Sequence, residues 1–324
     1  MRVKATVVAI FLWCGAASAQ DPPRDLQVMS GGVAYRIGGH AGAAGGIEAA
    51  LAQAEASAPE SPRMAALLNL LGDQHQSQGR YAEAAAAYQR SLAIFQNTMG
   101  ARHPNVASVS MNLASVDQAR NLHASAVPHY ERALAIFEQT LSPEHPYVTA
   151  IVDNLAMIYR AQGRNADLER LYRRALAVSE SALGADHPRV TALLNQLGGL
   201  YQTQGRFAFA EPLVKRILAS VEKAMGPRHS NTAVALSNLA GVYQAQARYA
   251  DAEPLYRRSI AILEKELSPD HPVLGTVLNA LVALYETQGR YAEAEPLLDR
   301  LLGIRNRGVR RLGHGPVVLE QRRR

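Results

Sequence analysis

The sequence predicts an all-α fold, a solenoid of about six antiparallel helix pairs. The first observation behind it is a self-match at a spacing of 42 residues. Gly79-Arg80-Tyr81 returns as Gly163-Arg164-Asn165, Gly205-Arg206-Phe207, Ala247-Arg248-Tyr249 and Gly289-Arg290-Tyr291, with a degenerate copy at Asn121-Leu122-His123. In the same phase Leu71, Leu113, Leu155, Leu197, Leu239 and Leu281 form an unbroken series, and His103-Pro104 returns as His145-Pro146, His187-Pro188 and His271-Pro272. A fixed period of this length marks a repeat architecture. The second observation is that apolar positions within each period recur at three and four residues and never alternate, which is the helix pattern. The third is composition: alanine is abundant and aromatics make up only 6% of the chain, which suits helices packed closely through small side chains.

The elements follow in chain order. Arg2 and Lys4 precede an apolar run from Ala5 to Trp13, and Ala17-Ser18-Ala19 supplies a small-residue cleavage pattern, so residues 1–19 are expected to be a signal peptide and the protein to be exported, periplasmic or secreted, from Gln20. Cys14, the single cysteine, lies inside that segment; Trp13 beside it fits a lipid-anchor pattern poorly. No other stretch is long and apolar enough to span a bilayer. Residues 20–45 read as a flexible Gly-rich leader. Ser61-Pro62 stands in phase with the His-Pro series, so 46–62 is expected to hold a half-repeat capping helix at 46–57. Residues 63–304 make six units, the last truncated. In the third unit helix A is expected over about 148–162 and helix B over about 166–183. Gly163 ends helix A because glycine takes the left-handed conformation a sharp turn needs. Pro146 and Pro188 suit the first turn of a helix, where no N–H is required. Pro128, Pro212, Pro254 and Pro296 are placed likewise in the first turn of helix B. Residues 305–324 form a basic tail expected to be disordered.

These residues resemble the tetratricopeptide repeat (TPR) consensus W-x2-L-G-x2-Y…A-x3-F, stretched from 34 to 42 residues. Leu197-Gly198 with Tyr201 and Ala210 carry the resemblance, as do Leu239-Ala240 with Tyr243, Ala252 and Tyr256. The longer unit, with its Gly-Arg-Tyr-Ala-Glu-Ala-Glu-Pro-Leu turn, is similar to the repeats of kinesin light chains and of related bacterial proteins. The likeness spans roughly 63–304; His75 and Asp117 depart from it, standing where helix A otherwise carries tyrosine. It implies a TPR solenoid wound as a right-handed superhelix, with a concave groove lined by helix A that holds extended peptides.

Charge and motifs exclude several function classes. The net charge of +6 sits on the tail, where seven arginines face only Glu320; residues 20–304 carry 25 basic and 27 acidic side chains. The repeat body is therefore not a basic surface, and nucleic acid is not an expected partner. His103, His145, His187, His229 and His271 form a conspicuous ladder, but its members are separated by two helices each, and packed helices lie about 8–10 Å apart. One metal needs ligands at about 2 Å, so these histidines are expected to pack or hydrogen-bond before each new helix. No strand is read before Gly39, Gly42 and Gly45 and no Gly-Lys-Ser/Thr follows them, so no phosphate cradle is expected. No G-x-S-x-G or H-E-x-x-H is present. No catalytic residue, cofactor or metal is expected.

Function is expected on helix A. Asn112, Asn154 and Asn238 share one position in their repeats, Gln196 holds it in the fourth, and Asn69, Asn195 and Asn279 stand one residue earlier. Gln76, Gln118, Gln202 and Gln244 occupy a second position. An amide both donates and accepts, so a ladder of amides can pair with either half of a ligand's peptide bond; the opposing reading is that these amides bond to neighbouring helices or stay hydrated. Lys215, Lys223 and Lys265 fall in helix B, leaving Arg160 as the one clear groove cation, which disfavours the clamp that holds chaperone C-termini in similar proteins. The expected function is that of a non-catalytic adaptor for a peptide or protein partner. The alternatives are a self-associating scaffold and an auxiliary subunit of an envelope enzyme or secretion complex.

Overall fold

Each turn between helices A and B is built around a backbone that only glycine adopts freely. Gly79, Gly163, Gly205 and Gly289 have φ of 75°, 66°, 69° and 71°. After Gly163 the N–H of Arg164 reaches back to the carbonyl of Tyr159 at 2.8 Å, and that of Gly163 to Arg160 at 3.1 Å, closing the carbonyls that a helix end leaves open. The degenerate copies keep the geometry: Asn121 has φ 59° and Ala247 φ 57°. A left-handed alanine costs about 1–2 kcal/mol. Ala247→Gly is therefore expected to raise stability by roughly 1 kcal/mol, less the added entropy of the unfolded chain; an unchanged urea midpoint would show that the turn is not strained.

The computed structural model describes residues 26–30, 33–37, 43–267 and 271–311, with side-chain surroundings for 46–267 and 271–304. The chain divides into two units, Met1–Thr140 and Leu141–Arg324. The first holds β1 (Leu26–Ser30), β2 (Val33–Ile37), α1 (Ala43–Ser57), α2 (Pro62–Ser77), α3 (Tyr81–Met99), α4 (Pro104–Ala119) and α5 (His123–Thr140). The second holds α6 (Pro146–Ala161), α7 (Asn165–Leu183), α8 (Pro188–Thr203), α9 (Phe207–Met225), α10 (Ser230–Ala245), α11 (Tyr249–Glu266), α12 (Pro272–Thr287) and α13 (Tyr291–Arg311). From α2 onward even-numbered helices are helix A and odd-numbered ones helix B. Within each unit a helix packs mainly on its chain neighbours, as a solenoid requires.

Three boundaries differ from the sequence reading. The stretch read as a flexible leader contains β1 and β2, paired antiparallel with Leu26 opposite Ile37 and Ser30 opposite Val33, and α1 starts at Ala43 rather than 46. At the other end α13 continues to Arg311, past the expected limit at 304; arginine is a good helix former, so a run of them does not by itself stop a helix. The prolines of helix B are not in its first turn. Pro128, Pro212, Pro254 and Pro296 are each the sixth residue of their helix, which runs on through them. Each forfeits one i→i−4 bond; packing on the neighbouring helices outweighs the loss. The expected signal peptide, residues 1–19, and the tail beyond 311 lie outside the described residues. No described helix is long and apolar enough to cross a membrane.

The histidine ladder is a set of N-caps. His103, His145, His187, His229 and His271 each accept, through Nδ1, the backbone N–H two residues on, at 3.1, 3.2, 3.1, 3.1 and 3.3 Å. Each satisfies one of the open donors of a new helix A. Among the described residues no three histidine, cysteine or acidic side chains are grouped to hold a metal ion.

Helix B presses a tyrosine onto small residues of helix A. Tyr88, Tyr130, Tyr172 and Tyr256 are all at most 2% exposed, and Gly72, Ala114, Ala156 and Ala240 stand at the matching helix A place. Burying each such ring stabilises by about 1.5–3 kcal/mol. In the second unit successive repeats are also tied by arginine. Arg206 bonds Glu169 at 2.5 Å, Arg248 bonds Glu211 at 2.9 Å and Arg290 bonds Glu253 at 2.6 Å. The three guanidiniums lie 4.6, 4.1 and 4.4 Å above the rings of Tyr201, Tyr243 and Tyr285. Hydrogen bonds from Arg206 and Arg290 hold Glu169 and Glu253 below the usual carboxylate range.

Candidate functional site

The second position of the amide ladder is occupied by a bond inside four of the repeats. Tyr88 donates to Gln76 at 3.0 Å, Tyr130 to Gln118 at 2.9 Å and Tyr256 to Gln244 at 2.9 Å. Arg160 takes the same place in the third repeat and donates to the Tyr172 hydroxyl at 3.2 Å. Here helix A clasps the tyrosine twelve residues on, so the oxygen of Gln244 is engaged within the repeat. Gln202 is the exception: Val214 stands where the tyrosine would be, and Gln202 is half-buried with its amide uncommitted to helix B.

In the first unit the other amides are consumed as well. Asn112 donates to Asn69 at 3.1 Å and to Asp73 at 3.2 Å. Asp73 also accepts from Tyr88 at 2.6 Å, and Gln76 donates to Ser115 at 3.4 Å. Asn69 is buried. This network joins α2, α3 and α4 and leaves those amides little for a ligand. Burial pushes the Asp73 carboxyl up to about 6, opposed by its bond from Tyr88.

The second unit keeps its amides outward. Asn195, Asn238 and Asn279 are exposed and Asn154 is half-buried; Asn195 donates only to the Thr191 carbonyl of its own helix, at 3.0 Å. Two of the expected residues, Arg160 and Gln196, meet at an open cavity of about 430 Å³ walled by α6, α7 and α8 and lined by Asp153, Ala156, Met157, Arg160, Ala161, Tyr172 and Gln196. Ala156 and Ala161 leave the space. Tyr172 forms the floor, its ionisation pushed up by burial and by Asp153 and opposed by Arg160. Asp153, Met157 and Arg160 fall at i, i+4 and i+7, one face of α6, and Met157 is 52% exposed. Across from them the Gln196 Oε1 is buried and has no hydrogen-bond partner among the described residues. An unpaired buried acceptor costs about 1–3 kcal/mol, a penalty that an incoming N–H would remove once the amide turns toward the cavity. Sequence reasoning missed Asp153, Met157 and Tyr172; the 3-4 spacing of the first two with Arg160 was the available signal.

The fold and this site together define a helical-repeat protein whose exposed helix A edges carry polar groups unused by the fold itself. The tetratricopeptide repeat matches at residues 63–139, 148–223, 189–265 and 231–307, and the chain belongs to that family. Among curated proteins none matches. Of solved structures, BtubC (BKLC) from P. vanneervenii is similar with a TM-score of 0.51 at 20% identity, over 75% of this chain and 97% of that one. The nearly identical TPR-like repeats of a Podosopora anserina protein described as a kinesin light chain match at 28% identity over 64% of this chain and 98% of theirs, with a TM-score of 0.45. YrrB, a TPR protein with an unusual peptide-binding site, matches at 16% identity over 71% of this chain and 97% of that one, with a TM-score of 0.42.

Proposed function

We propose that the protein is a non-catalytic adaptor that holds an extended peptide segment of a partner along the exposed helix A edges of its second unit, centred on the α6–α8 cavity. The observation that carries this reading is the buried Gln196 Oε1 without a partner at the wall of a 430 Å³ cavity. An acceptor in that state is suited to a peptide N–H, and the outward amides of Asn195, Asn238 and Asn279 extend the same chemistry onto α8, α10 and α12. The TPR fold is widely used as a protein-interaction scaffold, which supports the reading without naming a partner.

Selection of a random peptide display library on the purified chain is the test. Peptides enriched on the native protein are expected to lose about tenfold in affinity on Gln196→Ala, with the helical circular dichroism unchanged, and to be unaffected by a control change at exposed Lys223. Absence of enrichment, or enriched peptides indifferent to Gln196→Ala, would overturn the proposal.

A further inference from the structure

We infer that the segment bound at the α6–α8 cavity is dipolar: an extended stretch in which an apolar side chain is flanked by one basic and one acidic side chain, the basic group against Asp153, the apolar one on Met157 and the acidic one against Arg160. The inference rests on the peptide-binding reading above and names the chemistry of its ligand.

The first support is that the two charges are unspent. Neither Asp153 nor Arg160 has an ion-pair partner among the described residues, although both line the cavity. The arginines around them are paired: Arg164 with Asp167 at 2.7 Å, Arg173 with Glu169 at 3.0 Å and Arg206 with Glu169 at 2.5 Å. Arg160 spends one N–H on the neutral hydroxyl of Tyr172 and keeps the rest of its fork. Asp153 and Arg160 are seven residues apart on one helix, about 10 Å along its axis, too far to neutralise each other.

The second support is that the arrangement is particular to one repeat. At the place of Asp153 the other repeats carry Asn69, Met111, Asn195, Ser237 and Asn279; at that of Arg160 they carry Gln76, Gln118, Gln202, Gln244 and Glu286. At the place of Met157 stand Asp73, Ser115, Gly199, Gly241 and Ala283. Only the third repeat presents a negative, an apolar and a positive group in a row, and that repeat walls the cavity.

The third support is dimensional. Side chains on one side of an extended segment recur every second residue, so three in a row span about 13 Å. The axial distance from Asp153 to Arg160 is about 10 Å, a difference that the flexible charged side chains of such a segment can take up. Met157, unbranched and adaptable, accepts an aliphatic side chain between them. Gln196 would meet the backbone of the same segment, which is neutral and independent of its side-chain sequence.

Blocked nonapeptides with the cores Lys-Thr-Leu-Thr-Glu and Glu-Thr-Leu-Thr-Lys, together with versions in which either or both charged residues become Gln, test this by fluorescence anisotropy on the full chain at low and high salt. One of the two charged orders is expected to bind best, to lose about threefold to tenfold on removal of each charge, and to weaken with salt. The double variant Asp153→Lys/Arg160→Glu, whose new carboxylate can accept the Tyr172 hydroxyl proton in place of the bond Arg160 gives up, is expected to prefer the opposite order. Equal binding of all cores, neutral ones included, would overturn the dipolar inference and leave peptide binding standing. No binding by any of them up to millimolar concentration, with the protein folded, would overturn both.

Discussion

Gly72→Ala is expected to destabilise the first unit by about 1–3 kcal/mol, at the upper end of that range. A Cβ on Gly72 would lie 2.4 Å from Cε1 and 2.6 Å from Cδ1 of Tyr88, a fully buried ring held at its hydroxyl by Asp73 and Gln76. The control is Gly198→Ala, the same consensus position in the fourth repeat. There the nearest atoms to a new Cβ are Leu213 Cβ and Val214 Cγ2 at 3.9 Å, ordinary contact. Removing a helix-interior glycine then gains up to about 1 kcal/mol. Urea unfolding of the two variants should move the midpoint in opposite directions; Gly72→Ala no less stable than Gly198→Ala would refute the packing account.

Asp73→Asn is expected to stabilise the protein at neutral pH by up to about 3 kcal/mol and to remove part of its pH dependence. The carboxyl is raised from the usual 3.8 to about 6, chiefly by burial. The native state therefore holds this proton more tightly than the unfolded chain does, and between about pH 4 and pH 6 the native state carries more of it. By linkage the contribution of Asp73 to stability is greatest below pH 4, falls as pH rises through 6, and stays low above it. About two pH units at 1.4 kcal/mol each give the magnitude. An amide keeps an acceptor for Tyr88 without the charge. The gap between wild type and variant should open between about pH 4 and pH 6 and stay constant above; a gap that does not change across that interval would show that Asp73 does not titrate there.

The helical architecture was legible because its signals repeat. The Gly163 series marks the left-handed turns, and each His-Pro pair marks an N-cap, so the expected ends of α6 and α7 fell within two residues of the observed ones. The strand pair was hidden in a glycine-rich context, although Val33, Tyr35 and Ile37 alternate with Ala34 and Arg36 as a strand would. The prolines of helix B misled because a proline suggests a helix start, whereas a helix clamped by two neighbours survives one lost bond. For the site, the amide pattern alone could not separate ligand contact from internal bonding. The tyrosine twelve residues beyond Gln76, Gln118 and Gln244 carried that information, and Val214 singled out Gln202. The cavity itself depends on which side chains leave space, here Ala156 and Ala161, and that is a property of packed volumes more than of spacing.

The arginine links between repeats all span the same sequence distance, from Glu169 to Arg206, Glu211 to Arg248 and Glu253 to Arg290. Loss of any 42 consecutive residues between Glu169 and Arg248 would bring those two side chains into the register that Glu169 and Arg206 now hold, with the tyrosine platform supplied by Tyr201 or Tyr243. Gain of a copy would add a link and disturb none. These links are thus indifferent to duplication or deletion of whole periods, whereas the cavity requires the third repeat together with Gln196 of the fourth.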